Sequence, residues 1–206
     1  MLARLQHILR RYWKLITVIA AIVILPLTVR EVYRAWRRYH VRATKMFDVV
    51  DEGRLYRSGM PWDWLLKYCV TQLHVKTVVS LSGDVTEPYS NMYVYLQEQG
   101  VRHVNLPMYA SRTPTVELAR KALAVLADTN AAPVLIHCSA GVDRTGYMVA
   151  LHRVIHEGWT LEQALDEAQE HWMLDRKREK ALAELPAVIQ ALTSAPPADI
   201  GVHQTF

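Results

Sequence analysis

The segment from Val134 to Gly146 restricts the fold of this 206-residue chain more than any other. It reads V-L-I-H-C-S-A-G-V-D-R-T-G, which is a short apolar run, a stretch of small residues and the start of a helical pattern. A short apolar run rich in branched residues is typical of a buried strand, and small residues allow a tight turn after it. The segment therefore predicts a buried strand, a compact loop and a helix in direct succession.

Strands and helices alternate along the chain on both sides of this segment. Strands are predicted at 54–61, 75–81, 101–108 and 134–137, and helices at 62–73, 90–98, 114–128, 144–156, 160–172 and 176–193. Thr113 and Thr160 are the predicted N-caps of two of these helices. The alternation is typical of an α/β domain with a central, mainly parallel sheet flanked by helices. Ligands of such sheets bind at the carboxyl ends of the strands.

The loop after the strand at 134–137 has the residue types to hold a phosphate group against a nucleophilic sulfur. Backbone N–H groups of 139–143, curled over a helix N-terminus, bind anions. Arg144 offers a planar, bidentate fork for two phosphate oxygens, which a lysine does not. Cys138 supplies the nucleophile, because helix N-termini and nearby cations lower the pKa of a thiol. Thr145 is placed to donate its hydroxyl to the sulfur when the sulfur leaves.

This pattern of His-Cys, five residues, Arg and Thr resembles the signature of the cysteine-dependent protein tyrosine and dual-specificity phosphatases. His137, Cys138, Arg144 and Thr145 fill its four fixed positions. The resemblance implies a dual-specificity-like α/β fold and a phosphomonoester hydrolase that works through a phosphocysteine intermediate. It implies neither a metal nor another cofactor. An ordinary strand–turn–helix with a structural cysteine is the alternative.

The general acid that this mechanism requires is missing from its usual place. In the resembled family, an Asp on a loop about thirty residues before the Cys protonates the leaving oxygen. The corresponding residues 107–114 contain no Asp or Glu. Asp143, directly before Arg144, is the predicted acid, with a structural carboxylate as the other interpretation of the same residue. Asp84, which follows the strand at 75–81, is the alternative acid.

The first 45 residues differ from the rest of the chain in charge. They hold ten Lys or Arg against one acid, whereas 46–206 hold fourteen against nineteen. Residues 15–29 are uncharged and mostly apolar, which predicts a membrane anchor at about 13–29, with a buried helix as the main alternative. Fifteen helical residues span about 22 Å, less than the roughly 30 Å of a hydrocarbon core. Aromatic and Arg side chains at both ends can make up the difference.

The predicted organisation is a basic arm at 1–45, a catalytic domain at 46–194 and a flexible tail at 195–206. Six basic residues follow the apolar run and four precede it, which favours a single-pass protein with a cytoplasmic catalytic domain. The basic, aromatic stretch at 30–45 is interpreted either as a contact with anionic lipid or as a linker helix. Because 46–206 is acidic overall, a nucleic-acid partner is not expected.

The predicted function is that of a membrane-anchored protein tyrosine or dual-specificity phosphatase. A phospholipid or phosphoinositide head group is the alternative substrate, because the Asp-Arg-Thr ending resembles lipid-directed members such as the myotubularins. A phosphate-binding protein that kept the loop but lost the acid is the second alternative. The predicted catalytic residues are Cys138, Arg144, Asp143, Thr145 and His137. The predicted substrate-binding residues are Ser139, Ala140, Gly141, Val142 and Arg112.

Overall fold

The computed structural model describes residues 12–13, 17–18, 22, 24–36, 39, 43–82 and 90–194. The chain divides into two compact units, Met1–Ala43 and Thr44–Phe206. In the first unit, residues 24–36 are helical and their side chains are exposed. The predicted anchor at 13–29 lies partly outside the described residues, and the predicted tail at 195–206 lies wholly outside them. Across the part of the chain that is described, no helix is both long and apolar enough to span a membrane.

The second unit is built on a five-stranded sheet. Its strands are β1 (Asp48–Asp51), β2 (Leu55–Gly59), β3 (Thr77–Ser80), β4 (Arg102–Asn105) and β5 (Val134–Cys138). They lie in the order β1-β2-β5-β3-β4. Strands β2, β5, β3 and β4 are parallel to one another, and β1 pairs antiparallel with β2 at the edge. The mainly parallel sheet predicted from the sequence is therefore confirmed, with β5 at its centre.

Helices of this unit cover both faces of the sheet. They are α1 (Asp63–Thr71), α2 (Ser90–Glu98), α3 (Val116–Ala127), α4 (Asp143–Glu157), α5 (Leu161–Glu170) and α6 (Asp175–Ser194). Successive strand residues point to opposite faces, so Leu135 joins the core formed with α1 and α2. Its neighbour Ile136 joins the larger core formed with α3 to α6. Burial of β5 on both faces accounts for its continuous apolar sequence.

The helix starts agree with the sequence prediction at one of the two threonines. Thr160 caps α5 through a capping box, as predicted. The cap of α3 is Thr115 and not Thr113, so this helix begins two residues later than predicted. The Thr113 hydroxyl donates instead to Glu184 of α6, a contact between distant parts of the chain that sequence spacing does not indicate.

Strand β1 is not predicted by the sequence. It has only four residues, and Asp48 and Asp51 at its two ends are unfavourable in strands. Its pairing with β2 across a turn at Gly53, which has a φ of +68°, stabilises it. A tertiary contact thus overrides a weak local preference.

The four parallel strands end at the same edge of the sheet. Gly59 of β2 is in register with Cys138 of β5. Ser80 of β3 is in register with His137 of β5 and with Asn105 of β4. The segments that follow these strands therefore converge on Cys138.

Candidate active site

The phosphate-binding loop predicted from the sequence connects β5 to α4. Cys138 is the last residue of β5, and Asp143 is the first residue of α4. Cys138 is 2% exposed, and its Sγ accepts a hydrogen bond from the Gly141 N–H with an N···S distance of 3.2 Å. An N–H donor and a helix N-terminus both stabilise negative charge on the sulfur. The local geometry therefore places the sulfur at the base of an anion-binding loop.

The loop rests on residues 57–60 of β2 and the turn after it, which we call the β2 seat. The Met60 N–H donates to the Ser139 carbonyl at 3.2 Å, and Arg57 Nη2 donates to the Gly141 carbonyl at 2.9 Å. In a trans peptide, the C=O and the following N–H point in opposite directions. Because the β2 seat binds these carbonyls on its own side of the loop, the N–H groups that follow them face the opposite side of the loop. That side is where an anion binds such a loop.

Two glycines allow the loop to approach the seat this closely. Gly141 has a φ of +76°, and a Cβ there would overlap the Gly59 nitrogen and lie 2.6 Å from the Ser58 carbonyl carbon. A Cβ on Gly59 would lie 2.8 Å from the Ala140 carbonyl carbon. A side chain at either glycine would push the loop away from β2.

Arg144 is held by contacts from three separate segments at the sheet edge. Its Nη1 donates to the carbonyl oxygens of Leu81 and Met108, each at 3.2 Å. Its Nη2 donates to Ser139 Oγ at 2.8 Å, and Ser82 Oγ lies 3.2 Å from the same oxygen. Because Leu81 follows β3 and Met108 follows β4, the convergence of the strands orients the guanidinium.

Two of the predicted catalytic residues have fully buried side chains. The Thr145 hydroxyl donates to the Ser58 carbonyl at 3.4 Å. Because a hydroxyl rotates, donation to the sulfur as it leaves stays a prediction. The His137 side chain points to the opposite face of the sheet from that of Cys138. Burial lowers the pKa of His137 to about 3, so its ring is neutral at pH 7. Both side chains lie in the protein interior.

Asp143, the predicted general acid, is partly exposed at the start of α4. Its Oδ2 is 3.8 Å from Lys177 Nζ of α6. Lys177 also donates to the Ala110 carbonyl at 2.7 Å, and Lys180 donates to the Ser111 carbonyl at 2.8 Å. Helix α6 thus holds both Asp143 and the segment that carries the acid in the resembled family.

The other candidates are spread more widely. Arg112 is exposed, with its guanidinium 5.4 Å from the Tyr109 ring centroid. Asp84 lies outside the described residues. Cys69 is buried in the core beneath α1, where burial raises its pKa to about 12. Among the residues that are described, no group of three or more His, Cys, Asp or Glu is placed to hold a metal ion.

Sequence reasoning missed three residues that position the site: Arg57, Ser82 and Lys177. Arg57 has a sequence signal, because it is a charged residue inside a strand that is buried along its whole length. Ser82 and Lys177 have no such signal in the sequence. Their contacts join segments that are distant in sequence, so local pattern carries no information about them.

The fold and the loop are those of the tyrosine phosphatase family. A model of the tyrosine phosphatase family matches residues 42–184, and the chain belongs to this family. The dual specificity protein phosphatase TpbA of Pseudomonas aeruginosa (strain UCBPP-PA14) is 35% identical over 115 residues, which are 56% of this chain and 50% of TpbA. The inositol diphosphatase DSP1 of Oryza sativa subsp. japonica is 35% identical over 128 residues, which are 60% of this chain and 55% of DSP1.

The similarity extends to solved structures. The crystal structure of P. aeruginosa TpbA in complex with phosphotyrosine has a TM-score of 0.56 and 27% sequence identity. The similarity covers 75% of this chain and 99% of that chain. The chain spans about half the length of the curated relatives that it matches.

Gly141→Ala tests the contact between the loop and the β2 seat, with Gly158→Ala as the matched control. Both glycines have nearly the same φ, +76° and +75°, but no atom lies within 4 Å of a Cβ at Gly158. We expect both variants to lose about 1–2 kcal/mol of stability from the backbone conformation. Only Gly141→Ala should also bind tungstate, a tetrahedral oxyanion, about tenfold or more weakly. Urea unfolding and titration calorimetry measure the two effects, and equal tungstate affinities would contradict the contact.

Proposed function

We propose that this protein hydrolyses phosphomonoesters through a phosphocysteine intermediate and that its substrate is protein phosphotyrosine. The observation that carries the proposal is the hydrogen bond from Arg144 to Ser139, the residue after Cys138. The guanidinium is also held by the Leu81 and Met108 carbonyls. The loop N–H groups that follow the carbonyls bound by the β2 seat face away from that seat. This arrangement supplies a nucleophile together with preorganised donors for the charge that develops on phosphoryl oxygens.

The proposed reaction has two steps. In the first, the Cys138 thiolate attacks phosphorus and the bond from phosphorus to the leaving oxygen breaks. The loop N–H groups and Arg144 hold the non-bridging oxygens, and Asp143 gives its proton to the leaving oxygen. In the second, water attacks the phosphocysteine, the Asp143 carboxylate accepts a proton from that water, and phosphate leaves as the thiolate is restored.

The absence of an acid from residues 107–114 supports an aryl substrate. The tyrosine phenol has a pKa of about 10, so it leaves with less help from a proton than the aliphatic alcohol of serine or threonine. The likeness to TpbA, whose crystal structure contains phosphotyrosine, supports the same choice.

A phosphoanhydride is a second candidate substrate, favoured by the same feature. Its leaving group is a phosphate, and a phosphate ester has a second pKa of about 6, so departure at neutral pH requires no acid. The likeness to inositol diphosphatases supports this candidate. A phospholipid head group, the alternative from the sequence, leaves as an alcohol and therefore depends more on Asp143.

Phosphate release by the purified full-length chain tests these candidates, with Cys138→Ser as the inactive control. The panel contains a phosphotyrosine peptide, a phosphoserine peptide, a phosphoinositide and an inositol diphosphate. We expect the highest kcat/KM on the phosphotyrosine peptide. A higher value on the inositol diphosphate or the phosphoinositide would replace the proposed substrate. No release from any compound, with tungstate still bound, would identify a phosphate-binding protein without catalysis.

Asp143→Asn tests the general acid. We expect it to lower kcat on an alkyl phosphate far more than on p-nitrophenyl phosphate, whose leaving group needs little protonation. The matched control is Asp63→Asn, because Asp63 is the first residue of α1 as Asp143 is of α4. Equal losses on the two substrates would remove Asp143 from this role and leave it a structural carboxylate.

The proposal includes a location, a membrane anchor at about 13–29 with the catalytic domain in the cytoplasm. It is supported by the fifteen uncharged residues at 15–29, the flanking aromatic residues and the excess of basic residues after them. The arm would then hold the catalytic domain close to the membrane surface.

Extraction of membranes with alkaline carbonate tests the anchor. We expect the full-length chain to stay with the membrane fraction and a variant with Ile22→Lys and Ile24→Lys to be released, because two charges make insertion of this segment unfavourable. Val49→Lys, an exposed position in β1, is the control for an added charge elsewhere. Release of the unaltered chain would contradict the anchor.

A further inference from the structure

A buried arginine behind the loop has no part in the reaction described above. Arg57 is 1% exposed and is the central residue of β2. Its Nη2 donates to the Gly141 carbonyl, whereas its Nε and Nη1 have no hydrogen-bond partner among the described residues. Burying a guanidinium with unused donors is unfavourable, and an apolar side chain of similar volume would fill the position without that penalty. Packing alone therefore does not explain why a charged residue occupies this position.

The sheet register relates the side chain of Arg57 to that of Cys138. Arg57 pairs with Ile136, two residues before Cys138, and residues two apart along a strand share a face. The side chains of Arg57 and Cys138 thus lie on the same face of the sheet. Arg57 reaches the loop from within the protein, whereas Arg144 reaches it from the mouth of the site.

Charges from each neighbouring element act on Arg57. Burial lowers its pKa to about 10, while Glu167 of α5, an ionised Cys138 and Asp48 of β1 raise it and Arg153 of α4 lowers it. The guanidinium therefore keeps its positive charge at neutral pH. The attraction to an ionised Cys138 is mutual, so a charged Arg57 stabilises the thiolate in turn.

The acidic neighbours of Arg57 are engaged by other side chains. Glu167 accepts hydrogen bonds from Arg153 at 2.7 and 3.1 Å. Asp48 Oδ2 lies 2.7 Å from His171 Nε2. Arg57 is therefore not neutralised by a direct ion pair, and its charge remains available to the loop.

We infer that Arg57 is a positioning residue of the active site, which acts through the loop by stabilising the Cys138 thiolate with its charge and the Gly141 peptide with its hydrogen bond. The role rests on the proposed function, but both effects exist in the free enzyme before substrate binds. They can therefore be measured without turnover.

Two variants separate the two effects in the full-length chain. Arg57→Gln removes the charge, and Arg57→Lys keeps the charge but loses the planar fork. The first readout is the rate of Cys138 alkylation by iodoacetamide as a function of pH, followed at Cys138 by mass spectrometry. The second is tungstate affinity at fixed pH. The control is Arg120→Gln, which removes a half-buried cation of α3 that donates to the Ala191 carbonyl of α6 and not to the loop.

We expect Arg57→Gln to move the midpoint of the alkylation profile upward by about one pH unit, which makes alkylation below the midpoint about tenfold slower. Arg57→Lys should keep the wild-type midpoint and bind tungstate several-fold more weakly. Arg120→Gln should change neither readout, although loss of its hydrogen bond to Ala191 lowers its unfolding midpoint in urea.

Each half of the inference has its own contradicting result. An unchanged midpoint in Arg57→Gln, or an equal shift in Arg120→Gln, would overturn the effect of charge. If Arg57→Gln does not fold, a midpoint shifted upward in the folded Arg57→Lys would overturn it instead. Unchanged tungstate affinity in Arg57→Lys would overturn the hydrogen bond. A wild-type chain that releases no phosphate but shows the expected shifts would refute the proposed function and leave the role of Arg57 intact.

Discussion

The attachment of the loop to β2 is the constraint on which the rest of the site depends. A peptide group is rigid, so a donor that holds a carbonyl on one side also directs the next N–H to the other side. The β2 seat supplies such donors from the Met60 backbone and the Arg57 side chain. The parallel pairing of β2 with β5 brings the seat to the loop in fixed register. The anion-binding face is thus a consequence of how the opposite face is attached.

This constraint explains why the site is assembled from segments distant in sequence. Carbonyls that follow β3 and β4 orient Arg144, while lysines of α6 hold the segment after β4. Each contact uses a backbone atom at the end of a strand or in a loop. Backbone atoms at the sheet edge therefore position the site. The side chains of those residues can vary while their carbonyls stay in place.

The sequence predicts the parts of the fold that local pattern controls. The strand, loop and helix around Cys138 are encoded by apolar content, small residues and helix start signals within one short segment, and the structure has them where they are predicted. The cap of α3 and strand β1 depend on partners outside their own residues, namely Glu184, far along the chain, and the neighbouring strand β2. The pattern of the residues themselves does not show these partners, so the cap is predicted at the wrong threonine and the strand is not predicted.

The separation of the two cysteines has a consequence for oxidative damage. The sheet lies between them, because Cys69 belongs to the core under α1 and α2 and Cys138 belongs to the core on the other face. Oxidation of Cys138 to a sulfenic acid would therefore meet no second thiol of the same chain able to form a disulfide with it. Recovery of the oxidised form then depends on a small-molecule thiol or another protein, which makes the reducing power of the surroundings a direct determinant of the active fraction.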